Sequence, residues 1–294
     1  MSQANGISDV HYRTATIDGI DVAYREAGPS DGPVVLLMHG FPSSSRIFRN
    51  LIPQLSDRYR VIAPDYPGFG HSGVPDRSRF SYSFDDQADI LAKLLEHLDV
   101  REFTPYVMDF GGPIGYRLAL EHPERLSALV MQNAPLYPEE PKGWWATLGK
   151  YWNDGSPEHR EASRDYLSAE STKDQYLYGV SDSSLVDPDN WIVDYALMQR
   201  PGLDEIMLDM LYDIRNNVPT FQAMQRLLRE RRPPTLVVTG VNDEIFPGEV
   251  VHNVFNDHPE AEFHAIDSGH FALEDKAPEI GSLMRAFLDR EVAR

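Results

Sequence analysis

Four short stretches of the chain carry groups able to do chemistry together. In Tyr106-Val107-Met108-Asp109-Phe110-Gly111-Gly112 an apolar run meets an acidic residue, then two glycines, before a helical period begins. A tight strand-to-helix turn of this kind exposes one side chain and needs small neighbours, which places Asp109 at a nucleophile elbow. The competing reading makes Asp109 an N-cap for the helix that follows, a role Asp fills well. His39-Gly40-Phe41-Pro42 follows an earlier apolar run, where a backbone N–H can help to form an oxyanion hole. Asp243 comes just after Gly240 and His270 just after Ile266, each past another apolar run. The order Asp109, Asp243, His270 is nucleophile, acid, histidine. No Gly-x-Ser-x-Gly occurs, and Gly70-His71-Ser72-Gly73 has the wrong spacing, so no serine competes.

The elements that must position these groups alternate in period. Apolar runs at 34–38, 60–63, 103–108, 127–131, 234–240 and 262–266 predict strands, and the patterns at 84–98, 113–120 and 278–291 predict helices. Strands alternating with helices predict an α/β fold, a mostly parallel sheet with helices on both faces. From 137 to 232 the chain is rich in Trp, Tyr, Asp and Pro, with helical patches and no convincing buried strand. That stretch is expected to be a helical cap inserted over the carboxyl edge of the sheet, where ligands of such sheets bind. The core domain is then 1–136 with 233–294, and the cap 137–232.

Composition narrows the partners. With no Cys among 294 residues, disulfides, thiolate catalysis and cysteine-ligated zinc are out. A net charge of −19 argues against nucleic acid, since phosphate binding needs clustered Lys and Arg. No apolar run approaches the roughly 18 residues of a membrane span. The first residues have neither the charged nor the apolar region of a signal peptide. A cytoplasmic protein with no membrane partner is expected.

Taken together, Leu37-Met38-His39-Gly40-Phe41-Pro42, Ala63-Pro64-Asp65-Tyr66-Pro67-Gly68-Phe69-Gly70, Asp109-Phe110-Gly111-Gly112, Gly240-Val241-Asn242-Asp243 and Gly269-His270-Phe271 resemble an α/β-hydrolase-fold enzyme. The likeness is to the epoxide hydrolase and haloalkane dehalogenase group, whose nucleophile is Asp, and it runs over nearly the full length. It implies an alkyl-enzyme ester on Asp109, formed without a base because a carboxylate is ionised at neutral pH. His270, oriented by Asp243, then activates water, and the backbone N–H groups of Phe41 and Phe110 hold the oxyanion. Asn133 stands where some relatives carry the acid; an amide cannot serve as an anion, which leaves that role to Asp243. His39 reads as a structural hydrogen-bonder and Asp65 as a loop former. No metal or cofactor is implied; the partners are a small apolar organic substrate and water.

The resemblance divides on substrate. Dehalogenases of this group place a Trp after the nucleophile and often an Asn after His-Gly, both halide donors; this chain has Phe110 and Phe41, which cannot donate from their side chains. Val107 is more like a dehalogenase, and the His-Gly-Phe-Pro loop resembles epoxide hydrolases and fluoroacetate dehalogenases, the latter with an Arg after the nucleophile that this chain lacks. Epoxide opening needs acids over the ring oxygen, supplied in relatives by two cap tyrosines. Tyr176 and Tyr212 are the expected pair, each in a helix-like segment, with packing as the plainer role for either. Trp144, Trp145 and Trp152 are candidate halide donors or apolar lining. Epoxide opening is the preferred expectation, haloalkane hydrolysis the alternative, and a non-catalytic binding homologue the remote one.

Overall fold

A computed structural model describes residues 9–138 and 140–292. Eight strands form one sheet: β1 His11–Ile17, β2 Ile20–Ala27, β3 Val34–Met38, β4 Arg60–Pro64, β5 Thr104–Met108, β6 Leu129–Gln132, β7 Thr235–Gly240 and β8 Glu262–Ile266. Their order is β1-β2-β4-β3-β5-β6-β7-β8. The neighbours from β4 to β8 run parallel, and β2 pairs antiparallel with β1 and β4. β1 and β2 are a hairpin missing from the strand series above, which begins at 34. Its signal is Asp18-Gly19, both at positive φ, between two runs of mixed residues.

The central strands are apolar on both faces because both are covered. Leu36, Met38, Val107 and Met131 pack with Phe84, Leu91, Ile114 and Leu118 of the helices Phe84–His97 and Gly111–Glu121. Val35, Leu37, Tyr106, Met108 and Val130 face the other way, toward Phe48 and toward Ile280, Met284 and Phe287 of the helix Ala277–Glu291. Alternate residues of one strand thus build two layers. Between β6 and β7 every named element is helical. The last of these helices, Val218–Arg231, puts Phe221, Met224 and Leu228 into the same apolar layer as Ile114 and Leu118. No helix among the described residues is long and apolar enough to cross a membrane.

Candidate active site

The site is built where the parallel strands end. Asp109, the residue after β5, has φ +46°, a left-handed conformation that costs a non-glycine residue roughly 1–2 kcal/mol. The turn survives because its surroundings permit no alternative. A Cβ on Gly111 would lie 2.3 Å from the Met38 carbonyl oxygen, and one on Gly40 would lie 2.4 Å from the Asp109 Cβ. Glycine at both places lets the helix start and the His39 loop close on the Asp109 side chain.

That closure decides what the carboxylate does. The helix Gly111–Glu121 has no side-chain cap; its N-cap position is Phe110. Asp109 Oδ1 instead accepts from the backbone N–H groups of Phe41 and Phe110, at 2.6 Å each. Its Oδ2 lies 3.8 Å from His270 Nε2. His270 Nδ1 bonds Asp243 Oδ2 at 2.8 Å. Asp243 Oδ1 accepts from Ile245 N–H at 2.8 Å, and Oδ2 from Asn133 Nδ2 at 2.8 Å. Asp109, Asp243 and His270 are all buried. The five groups named from sequence, Asp109, Asp243, His270 and the amides of Phe41 and Phe110, therefore stand in one place.

Burial and charge oppose each other here. Burial pushes the Asp109 carboxyl up, and His270 and the two amide donors pull it partly back. For His270, burial disfavours the cation, but Asp243 and Asp109 outweigh it and leave the imidazole above its ordinary value. His39 is different: burial, only partly offset by Asp65, lowers it to about 4. Its ring stacks on Tyr66 at 4.0 Å and its Nδ1 meets the Gly40 carbonyl at 3.0 Å, a structural role. Asp65 accepts from the Ser45 and His71 N–H groups and shapes its loop.

Asp109 opens onto a cavity of about 550 Å³ whose walls include Phe84, Phe110, Met131, Phe221, Ile245 and Phe246. From the inserted segment, Trp145, Trp152 and Tyr137 also line it. Their donors are engaged elsewhere: Trp145 Nε1 with the Ile245 carbonyl at 2.7 Å, Trp152 Nε1 with the Leu211 carbonyl at 2.7 Å, and Tyr137 Oη with Asp257 at 2.5 Å. Trp145 and Trp152 are thus apolar lining. The expected acid pair is not there. Tyr176 is buried against Phe271 and donates to Asp194. Tyr212 stacks on Tyr151 at 4.3 Å, with Arg215 over its ring. Trp144 packs edge-on against Tyr166. None of Tyr176, Tyr212 and Trp144 lines the cavity. Helical periodicity placed them in helices or beside them but gave no facing, and each found an aromatic or carboxylate partner instead. Phe246 and Phe221, not singled out from sequence, do line it; their only signal was apolarity.

Residues 33–277 match the family model of the α/β hydrolase fold. The chain belongs to the α/β-hydrolase family. An uncharacterized hydrolase of Saccharomyces cerevisiae is 39% identical over 261 residues, 87% of this chain and 89% of that protein. A cis-3-alkyl-4-alkyloxetan-2-one decarboxylase of Xanthomonas campestris is 32% identical over 291 residues, 92% of this chain and 93% of that protein. Among solved structures, the haloalkane dehalogenase DbeA of Bradyrhizobium elkani superposes with a TM-score of 0.78 at 24% identity, covering 97% of this chain and 100% of that one, a likeness of fold. The Asp109 turn, the His39 loop and His270 all lie past the ends of parallel strands of that fold.

Proposed function

We propose that this α/β hydrolase acts through a covalent ester on Asp109, and that its substrates are small apolar epoxides, which it opens to diols with water. The observation that carries the reading is the split carboxylate of Asp109. One oxygen is fixed by two backbone N–H groups at 2.6 Å, and the other is turned toward His270 at the floor of an apolar cavity. Oδ2 attacks a ring carbon, the ring C–O bond breaks, and the freed oxygen takes a proton from water. His270 Nε2, which has no partner within hydrogen-bonding distance, then removes a proton from a second water that adds to the Asp109 carboxyl carbon. The resulting oxyanion forms on the oxygen already held by Phe41 and Phe110; its collapse breaks the ester C–O bond, the departing alkoxide takes the proton from His270 and leaves as the diol, and the Asp109 carboxyl gives its proton to the hydroxide left by the first water.

Epoxides rank above haloalkanes because a free halide needs side-chain donors. Phe41 and Phe110, which flank Asp109, have none, and both lining indoles are engaged with carbonyls, so a halide would depend on Lys142, Arg215 or Asn217 elsewhere in the wall. A strained ring drives its own opening and keeps its leaving oxygen tethered. A second reading rests on the relative that matches over 92% of the chain: an oxetan-2-one. Asp109 attack would release a carboxylate, a weaker base than an alkoxide, and loss of carbon dioxide from the ester would give an alkene and free Asp109. The test is His270→Ala incubated with a terminal epoxide, a bromoalkane or a dialkyl oxetan-2-one, followed by peptide mass spectrometry. The reading expects one epoxide adduct on the Asp109 peptide and little or none from the bromoalkane. Alkene from the oxetan-2-one without an epoxide adduct favours the second reading; no adduct and no alkene returns Asp109 to a structural role.

A further inference from the structure

Two amides at the end of β6 reach the loops that carry Asp109, Asp243 and His270. Asn133 has φ +43°, and its carbonyl accepts from Asp109 N–H at 3.2 Å. Its Nδ2 donates to Asp243 Oδ2 at 2.8 Å and to the Gly240 carbonyl at 3.2 Å. Its Oδ1 accepts from Gly240 N–H at 2.9 Å and from Gln132 Nε2 at 2.8 Å. Gln132 Nε2 also donates to the His270 carbonyl at 2.8 Å, and Gln132 Oε1 accepts from Tyr106 Oη at 2.8 Å. Both amides are fully buried.

From this network we infer that Gln132 and Asn133 are a positioning pair: they lock the three loops in register, and Asn133 sets how much of the Asp243 charge reaches His270. Asp243 Oδ2 is shared between His270 Nδ1 and Asn133 Nδ2, so the carboxylate cannot turn without losing both bonds. A neutral donor there spreads the negative charge, and a carboxylate in its place would add to it. The charged groups around the imidazole are Asp243 and Asp109, with Glu244 beside Asp243. The inference rests on the Asp109-ester reading, because His270 acts when the ester is hydrolysed.

Asn133→Gly and Asn133→Asp test it, since both residue types tolerate positive φ. With a terminal epoxide, rapid-quench mass spectrometry separates formation of the adduct from its hydrolysis, and imidazole NMR follows His270 without substrate. Adduct formation should stay within about twofold of the unaltered protein, while hydrolysis slows roughly ten- to hundredfold in Asn133→Gly, the usual loss when a supporting hydrogen bond is removed. In Asn133→Asp the acid limb of ester hydrolysis, set by protonation of the base His270, and the His270 titration should both move upward by about one pH unit. Hydrolysis at the unaltered rate and an unmoved His270 titration in both variants overturn the inference. Absence of any adduct in the unaltered protein and in His270→Ala rejects the ester reading alone, and the His270 titration then decides for or against the pair.

Discussion

At the scale of single residues, the site trades stability for reactivity. Asp109 is buried, sits in a left-handed turn, and has one oxygen drawn by two amides. Burying a carboxylate costs free energy unless it is paired, and here the pairing is divided between backbone donors and an imidazole 3.8 Å away. Asp109→Asn keeps the acceptor for Phe41 and Phe110 and removes the charge. It should therefore fold with unchanged or higher stability, up to about 1 kcal/mol, and lose at least roughly a thousandfold in turnover. Thermal melts and steady-state rates on an epoxide check both halves; a destabilised but active variant would contradict the assignment of Asp109.

At the scale of elements, the reactive groups are held by strand ends and by glycines that admit close approach. Gly111→Ala drives a methyl to 2.3 Å from the Met38 carbonyl, so the helix Gly111–Glu121 must shift away from β3. We expect a loss of about 1–3 kcal/mol together with reduced alkylation of Asp109, because the Phe110 amide moves with the helix. Chemical denaturation with adduct kinetics measures both, and unchanged values would show that the packing is looser than these distances imply. The buried strands, the elbow and the positions of Asp243 and His270 were readable because each lies at a sharp boundary between apolar run and breaker. The hairpin of β1 and β2 was not, since its exposed residues dilute the alternation. Tyr176 and Tyr212 were misplaced for a related reason: their partners Asp194 and Tyr151 are distant in sequence or lack a periodic signature. Asn133 was seen as an absent acid, whereas its donor role depends on a carboxylate 110 positions away.

At the scale of the whole molecule, the helices between β6 and β7 are tied to the rest of the fold by buried polar groups behind the histidine. Tyr176 and Asp194 meet on the helices Ala169–Leu177 and Asp189–Met198. Asn190 and Arg49 both bond Glu274, four residues past His270. Burial pushes Asp194 up to about 7, against a pull downward from Tyr176. The folded chain then holds a proton that the unfolded chain releases near pH 3.8. Its stabilising contribution is complete below that value and lost as the pH rises through about 7. Melting temperature should consequently fall from pH 4 to 7 more steeply in the unaltered protein than in Asp194→Asn, and parallel curves would contradict it. The central claim, that water attacks the enzyme and not the substrate, is tested most directly by a single turnover of an epoxide in oxygen-labelled water, with excess enzyme. Heavy oxygen should appear in the Asp109 carboxylate and the diol should be unlabelled; label in that first diol, with none in Asp109, would contradict the ester route.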